Sequence, residues 1–301
     1  MQSLNLPNNW LLKFFYNPRM RLFIGAFMIS FSPVFVSLVS VPPTTSGFYR
    51  VFIGGLVLMG FILISGRSFK FSMKIWMMLL LSALFFTADL WFWHRSILYI
   101  GPGLATLLAN MQVFFMMAAG IIFFKQLPTN TQLLAIPIAV LGLVVIVGID
   151  WSSLDGEYQL GVILGLLTAI SYTGYMLFMR QAQMISKYKL PIREIAIMSL
   201  LVSVFLGLAS VIEGASLAIP SSSDLLLLVA YGVCSHAAGL ILIASALTRV
   251  NTVEVGIVLL LQPSLSFIWD ILLFDRSVVL VESLGIVMVL FAIYLGSKRT
   301  T

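Results

Sequence analysis

The sequence contains little charge, because only 9% of its 301 residues are Asp, Glu, Lys or Arg. Soluble domains carry about 25% charged residues. Since 60% of the residues are hydrophobic, a soluble fold of this length would have to hide more apolar surface than it can bury. The composition therefore excludes an ordinary soluble domain. The net charge of +6 does not indicate a nucleic-acid partner, because the basic residues lie between apolar runs and not on one polar face.

Cysteine is nearly absent, and so are the motifs of several enzyme classes. The only cysteine, Cys234, lies within an apolar run, so no intramolecular disulfide can form. The chain has no phosphate loop for ATP hydrolysis, and neither HExxH nor a cysteine cluster indicates a metal site. We therefore expect no cofactor and no metal ion. Residues 1–20 lack the small-residue cleavage site of a signal peptide and are expected to form a cytoplasmic or interfacial segment.

Long apolar runs, separated by Gly, Pro and charged residues, make up the rest of the chain. A helix needs roughly 20 apolar residues to span a bilayer, and a lipid-exposed backbone must satisfy its own hydrogen bonds. The runs therefore predict an all-α polytopic membrane protein. Its ten transmembrane helices are expected at residues 21–40, 46–65, 74–98, 101–123, 130–149, 158–180, 193–213, 224–247, 252–274 and 281–297. Between the third and fourth spans, Pro102 and two neighbouring glycines disfavour a continuous helix.

Basic and acidic residues segregate between the two ends of these spans. With the N-terminus in the cytoplasm, most of the 17 Lys and Arg residues fall in cytoplasmic segments, as the positive-inside rule requires. The residues then placed outside include the acids Asp150, Asp155, Glu157, Glu213, Asp224, Asp275 and Glu282. We expect both termini in the cytoplasm, and a multi-pass protein of the cell (inner) membrane, surrounded by membrane lipid.

The two halves of the chain align with an offset of 150 residues (262 − 112). The informative match is Gln112 with Gln262, because an amide in mid-span is uncommon. The alignment predicts two five-helix repeats, residues 21–150 and 151–301. Since five is odd, the repeats must face opposite ways across the membrane. Inverted repeats of this kind place a substrate site near the bilayer midplane, between the two halves.

Several local patterns resemble the drug/metabolite transporter superfamily, and specifically its EamA-type ten-helix members. The patterns are Ser46-Gly47-Phe48-Tyr49-Arg50 at the second span, Leu107 through Gln112, Leu259-Leu260-Leu261-Gln262-Pro263, and Ala88-Asp89-Leu90 with Trp93-His94-Arg95-Ser96-Ile97. The resemblance covers roughly residues 20 to 297, and it implies transport without identifying the solute. The sequence departs from the family at Lys125 and Asp275, where a Glu often follows the fourth and ninth spans.

Ionisable and aromatic side chains in mid-span are the candidates for solute binding. A charge in hydrocarbon needs a partner or a wet cavity, so Asp89 is expected either to bind a cationic group or a proton, or to hold helices together. Trp93, one turn later, either stacks on the solute or packs in the protein. His94 and His236 are interpreted as cavity groups that respond to pH, or else as an interfacial anchor and a neutral packed histidine. Arg50 is interpreted as a headgroup anchor in preference to a substrate ligand.

Uncharged polar residues at similar depth complete the candidate site. Those expected either to line it or to join helices are Ser32, Asn110, Gln112, Tyr172 and Gln262. Pro33 and Pro263 are expected to act as hinges.

The preferred function is a secondary transporter, an exporter of a small polar metabolite such as an amino acid. It would work by alternating access around a midplane cavity, with or without protons, as a monomer or a homodimer. The alternatives are an intramembrane enzyme that uses Asp89 and His236 as acid and base, and a non-transporting membrane scaffold.

Overall fold

A computed structural model of the chain describes residues 17–65, 70–125, 127–147, 154–186, 191–247, 250 and 258–297. Within these ranges the regular secondary structure is helical, and no strand occurs. A π-helical turn, Tyr231–Ala238, joins two of the helices. The α-helices are α1 (Pro18–Ser30), α2 (Ser32–Leu38), α3 (Pro43–Ile64), α4 (Met73–Ala109), α5 (Gln112–Phe124), α6 (Asn130–Val147), α7 (Gly156–Ile185), α8 (Ile192–Ile212), α9 (Ser222–Ala230), α10 (Gly239–Leu247), α11 (Leu261–Phe274) and α12 (Leu280–Ser297).

In the described part of the chain, six helical stretches are long and apolar enough to cross a membrane. They are Pro18–Leu38, Pro43–Ile64, Met73–Phe124, Gly156–Ile185, Ile192–Ile212 and Ser222–Ala246. Shorter apolar helices are Asn130–Ile146, Leu261–Phe274 and Leu280–Gly296. The prediction of an all-helical, multi-pass membrane protein is therefore confirmed.

The stretch Met73–Phe124 turns back on itself at the predicted break. Its 52 residues would measure about 78 Å as one straight helix, far more than a bilayer core of about 30 Å. The backbone leaves helical geometry at Gly101, where φ is 81° and ψ is 162°. A Cβ placed on Gly165 of α7 would meet both Leu108 Cβ at 2.9 Å and Ser96 Oγ at 3.1 Å. Residues on either side of the break thus lie against the same point of α7.

Helices α5 and α11 end in the same unusual way. Their C-terminal caps, Lys125 and Asp275, adopt left-handed backbone angles with φ of 52° and 51°. Such angles are uncommon for residues other than glycine. The two caps are separated by the offset that the sequence alignment gives (275 − 125 = 150). Equivalent helices of the two halves therefore stop at equivalent positions.

Close helix packing builds the interior around which the candidate site forms. Helix α4 packs on α7, α3 on α8, α6 on α12, and α1 on α10. Glycines allow the closest approach: a Cβ on Gly142 of α6 would lie 2.9 Å from the Gly285 carbonyl oxygen of α12. Large apolar side chains such as Phe123 and Leu272 point outward instead. In a membrane, this outer surface is already in its preferred solvent.

Candidate functional site

Arg50 lies inside the helix bundle, about two turns after α3 begins at Pro43. Its Nη1 donates a hydrogen bond to the Tyr231 hydroxyl at 3.0 Å. Its guanidinium carbon lies 5.5 Å from the ring centroid of Trp93 and 5.1 Å from that of Tyr231. Such contacts combine cation–π attraction with a charge-assisted hydrogen bond. The interpretation of Arg50 as a headgroup anchor is therefore wrong.

One face of α3 brings both histidines of the chain next to Arg50. Gly47, Arg50 and Gly54 lie three and four residues apart, a spacing that places them on one face of a helix. A Cβ on Gly47 would meet His94 Cε1 at 3.5 Å, and a Cβ on Gly54 would meet His236 Cδ2 at 2.5 Å. The two imidazole rings therefore flank Arg50 along the helix axis, each where α3 has no side chain.

A chain of hydrogen bonds runs from Arg50 to the backbone of α4. His94 Nδ1 lies 2.7 Å from the Leu90 carbonyl oxygen, and because a carbonyl only accepts, Nδ1 must carry the proton. His94 Nε2 lies 3.4 Å from the Tyr231 hydroxyl. In the neutral ring this nitrogen accepts from Tyr231, whose oxygen in turn accepts from Arg50. Arg50, Tyr231 and His94 thus form one ordered donor–acceptor series.

Asp89 is buried, and it has no partner among the described residues. Its side chain is 5% exposed and lies one turn before Trp93 on α4, the residue whose ring faces Arg50. Within the described ranges, no hydrogen bond or ion pair reaches its carboxylate, and no Arg50 nitrogen lies within 4.0 Å of it. An ionisable group at membrane depth is costly unless it meets a partner or a polar cavity. The carboxylate therefore keeps its full capacity to accept hydrogen bonds, as far as the described residues go.

The His236 ring forms its hydrogen bond with a side chain of α8 and not with a neighbouring backbone carbonyl. Its Nε2 lies 2.8 Å from Ser199 Oγ, and that hydroxyl donates to the Ile195 carbonyl at 2.7 Å. The Ser199 oxygen must then accept a hydrogen bond from the protonated Nε2 of His236. In the neutral ring, Nδ1 is therefore the nitrogen without a proton. Nδ1 is buried and has no hydrogen-bond partner among the described residues. The ring also stacks on Phe86, with centroids 6.3 Å apart.

The π-helical turn places Tyr231 and His236 on the same side of their helix. In an α-helix, residues five positions apart point about 140° away from each other. A π-helix closes its hydrogen bonds from i to i+5 and brings such residues much closer to one face of the helix. Tyr231 and His236 can therefore face Arg50 and Gly54, which are four residues apart on α3. π turns occur frequently at functional sites.

Aromatic rings close the side of the cluster toward α7. Tyr175 stacks on Phe86 at 4.6 Å between centroids, and Tyr172 lies 5.1 Å from Tyr175. The structure thus brings several predicted site residues together around Arg50, namely Asp89, Trp93, His94, Tyr172 and His236. We call Arg50, Tyr231 and these five residues the Arg50 cluster.

Comparison with known proteins gives the family. The model of the EamA-like transporter family matches residues 20–148 and 159–297. The chain belongs to the EamA-like transporter family. It is therefore a membrane transporter of the drug/metabolite type, as the sequence resemblance implies. The family is one of transporters.

A solved structure supports the fold of this EamA-like chain. The structure, titled "Crystal structure of protein", aligns with a TM-score of 0.66 at 15% identity, and the alignment covers 93% of this chain and 96% of that chain. At this identity the likeness concerns the fold alone. Comparison with curated proteins finds no match.

The remaining predicted site residues of the EamA-like chain form no hydrogen bond with the Arg50 cluster in the part that the structure describes. Asn110 donates from Nδ2 to the Thr106 carbonyl at 2.8 Å, at the end of α4. Gln112 begins α5, and its Oε1 is buried without a partner among the described residues, as is Ser32 Oγ. Gln262 and the buried Pro263 lie in the first turn of α11, and Pro33 lies in that of α2. Their binding and hinge roles stay predictions.

Sequence reasoning missed Tyr231 and undervalued Arg50. No apolar periodicity signals a π turn, so nothing marked Tyr231 as a partner of α3. For Arg50 a signal was present. Pro42-Pro43 favours a helix start there, because proline is tolerated in the first turn. A start at Pro43 rather than Ser46 places Arg50 about one turn deeper.

Two ion-pair networks join helices at one end of the bundle, which we call the Glu213 end. The first, the Glu213 network, links α3, α4 and the end of α8. Arg95 Nη2 lies 2.9 Å from Glu213 Oε1, while Thr44 Oγ1 donates to Glu213 Oε2 at 2.7 Å. Trp91 Nε1 also donates to Glu213 Oε1 at 2.6 Å, and the Arg95 guanidinium carbon lies 3.8 Å from the Trp91 ring centroid.

The second, the Arg276 network, joins α11 and α12 to the break in α4. Arg276 donates from Nη1 to the Ile100 carbonyl at 2.9 Å and pairs with Asp270 Oδ2 at 3.4 Å. Its Nη2 pairs with Glu282. Asp270 Oδ2 also accepts from the Gly103 backbone N–H at 2.9 Å. Since Ile100 and Arg95 lie within two turns on α4, both networks close the same end of the bundle.

Partners hold the pKa of Glu213 below its ordinary value of 4.5. Partial burial alone would raise the pKa, but hydrogen bonds from Trp91 and Thr44 and the charge of Arg95 outweigh it. A lowered pKa means that ionised Glu213 stabilises the folded state at pH values above 4.5. This contribution is lost as the pH falls through the lowered value.

Glu213→Gln is expected to lower the melting temperature at pH 7 by about 2 °C, because a partly exposed ion pair contributes about 1 kcal/mol at most. The difference from the unchanged protein should shrink as the pH falls below 4.5 and through the lowered pKa of Glu213, where the folded carboxylate becomes protonated. Melting curves of detergent-purified protein over this pH series measure both effects. Glu157→Gln, at an exposed acid of α7, is the matched control and should show neither. A Glu213→Gln difference that persists undiminished in acid would contradict the ionic role.

Proposed function

We propose that this EamA-like chain is a secondary transporter that exports a small polar metabolite such as an amino acid. It works by alternating access around the Arg50 cluster and without ATP. The observation that carries the proposal is the position of the cluster. It combines ionisable and aromatic side chains of α3, α4, α7 and the π turn at one place inside an apolar bundle. Inverted repeats place a substrate site between the two halves, so the contributions from both halves of the chain support alternating access.

The proposal includes ten spans in two inverted five-helix repeats, with boundaries at residues 21–150 and 151–301. Three observations support this arrangement. The family model matches the chain twice, the long stretch Met73–Phe124 turns back at Gly101, and α5 and α11 end alike at Lys125 and Asp275. In such an arrangement each half supplies part of the midplane site, and the contact between Arg50 of the first half and Tyr231 of the second supports this.

In the proposed orientation the protein lies in the inner membrane of the cell, and both of its termini face the cytoplasm. The Glu213 end then faces outward, in agreement with the charge distribution along the sequence. The Glu213 and Arg276 networks would keep this outer end closed while solute enters from the cytoplasm. Their partial exposure suits contacts that must break and re-form in every cycle, since such ion pairs are weak.

Counterflow in proteoliposomes tests the transport function. Vesicles loaded with a mixture of unlabelled amino acids should accumulate external labelled amino acid transiently, well above the uptake of protein-free vesicles. Accumulation should need neither ATP nor a membrane potential, because exchange runs on the solute gradient. If no solute in an amino-acid and amine panel exchanged above the protein-free background, the proposal would fail. Exchange independent of pH over roughly pH 5 to 8 would exclude proton coupling through the histidines.

A further inference from the structure

Two opposite charges lie in the Arg50 cluster and do not meet. Arg50 lies over the ring of Trp93, one turn from Asp89 on α4, yet no guanidinium nitrogen lies within 4.0 Å of the Asp89 carboxylate in this structure. Asp89 is buried and Arg50 is partly buried. Away from water an uncompensated charge is expensive, and the attraction between opposite charges is strong. Direct pairing would relieve both costs. Some feature of the site must therefore keep the two groups apart.

Tyr231 holds the guanidinium on its own side of the site. Its hydroxyl accepts from Arg50 Nη1 at 3.0 Å, and its ring lies under the guanidinium carbon at 5.1 Å. The hydroxyl is itself held by His94, which is anchored on the Leu90 carbonyl. Arg50 is thus held beside Tyr231 by hydrogen bonds that involve only uncharged partners. The carboxylate of Asp89 is therefore left without the guanidinium as a partner.

Both Asp89 and Arg50 have hydrogen-bonding atoms that no described residue uses. Asp89 accepts no hydrogen bond from any described residue, and Arg50 Nε is buried without a partner among the same residues. A planar guanidinium suits a carboxylate, which it can bind through two parallel hydrogen bonds. A buried carboxylate equally suits an ammonium group with its three donors. The site therefore presents one anion receptor and one cation receptor within a single cluster.

We propose that the solute bound between these two groups is a zwitterion. Its carboxylate binds Arg50 and its ammonium group binds Asp89. This inference rests on the proposed transport function and narrows it to a class of solute. A zwitterion compensates both protein charges at once. A simple amine would leave Arg50 uncompensated and feel its repulsion, and a simple carboxylate would meet Asp89 in the same way.

The side chain of the solute, beyond its carboxylate and ammonium groups, would be surrounded by aromatic rings. Trp93 lies at 5.5 Å from the guanidinium carbon, and Phe86, Tyr172 and Tyr175 form a contiguous aromatic group beside it. Rings accept apolar and flat groups alike, so they discriminate less than the two charges do. The pair Arg50 and Asp89 is accordingly the specificity determinant of the proposal.

Three matched sets of probes test the charge requirement. Each set contains an amino acid, the amine without its carboxylate, and the acid without its amino group. The sets are alanine, ethylamine and propanoate; leucine, 3-methylbutylamine and 4-methylpentanoate; and phenylalanine, 2-phenylethylamine and 3-phenylpropanoate. Equilibrium binding to the detergent-purified full chain should favour the amino acid over both partners by more than tenfold in at least one set. Equal or weaker binding of the amino acid in every set, or no binding at all, would overturn the proposal.

Two variants assign the charges to residues. Arg50→Gln should reverse the preference toward the amine, because Asp89 then stands alone, and Asp89→Asn should reverse it toward the acid. A reversal cannot come from a protein that merely fails to fold. Arg50→Lys should keep the order of preference and lose only part of the affinity. Glu157→Gln, at an exposed acid in the first turn of α7, is the control and should change nothing. Loss of all three ligands without reversal would overturn the assignment.

Counterflow of the same probes separates this inference from the transport proposal. Exchange of amines or acids without preference for the amino acid would overturn the zwitterion site and leave transport standing. Selective amino-acid binding without any exchange would overturn the transport proposal and leave the zwitterion site standing.

Discussion

Gly54→Ala is expected to lower the apparent melting temperature by roughly 4–10 °C and to abolish solute exchange. The added Cβ would lie 2.5 Å from His236 Cδ2 and 2.9 Å from the Gly232 carbonyl oxygen. The carbonyl belongs to the backbone of the π turn and cannot rotate away as a side-chain end can. The whole π turn would have to move from α3, carrying Tyr231 away from Arg50. Overpacking of this kind typically costs about 1–3 kcal/mol.

Gly60→Ala is the matched control, because it makes the same change two turns further along α3. Nothing lies within 4 Å of a Cβ at this position. The Gly60→Ala substitution should raise helix stability slightly, since Ala is favoured over Gly by about 1 kcal/mol in a helix interior. Melting curves of both variants and counterflow at equal protein density measure the contrast. Equal melting temperatures for the two variants would show that the π turn does not pack on α3 as described.

The sequence predicts the helices well because hydrocarbon imposes a simple rule on them. Every lipid-exposed residue must be apolar and every backbone group must be bonded within the helix. The break at Gly101 was predicted for an equally local reason, the combination of proline with two glycines. Such local rules need no knowledge of neighbouring helices. They also explain why this fold is shared at 15% identity, since outward positions need only be apolar.

The candidate site was predictable only where a single helix defines it. Asp89 and Trp93 share a face of α4 by their spacing, and the structure keeps them together beside Arg50. The depth of Arg50 depends on where α3 begins, and an error of three residues there moves a side chain by about 4.5 Å. The contact with Tyr231 depends on a π turn, which α-helical periodicity does not indicate.

The networks at the Glu213 end show the same limit. The charge rule predicts that Glu213 and Glu282 lie at one end of the bundle, because it concerns each loop separately. It does not predict that Glu213 meets Thr44 and Arg95, which are far apart in the sequence. Those pairs depend on helix packing, which brings α3, α4 and the end of α8 together. Long-range partners of this kind are set by the whole bundle.

Gly101→Ala should destabilise the Arg276 network and lower the melting temperature by roughly 4–10 °C. The cause is twofold. Backbone angles of φ 81° and ψ 162° are accessible to glycine but cost other residues about 1–3 kcal/mol. The added Cβ would also lie 2.9 Å from Asp270 Oδ2 and 3.3 Å from Arg276 Nη1, so the ion pair would have to shift. Melting curves and amide hydrogen exchange around residues 99–104 measure the effect.

Two comparisons separate backbone strain from the lost ion pair. Gly156→Ala, at the start of α7, meets nothing within 4 Å and should leave the melting temperature within about 1 °C. Asp270→Asn removes one charge of the network but leaves the turn at Gly101 unstrained, so its effect should be smaller than that of Gly101→Ala. If Gly101→Ala were no more destabilising than Asp270→Asn, the expectation that backbone strain adds to the disturbed ion pair would be contradicted.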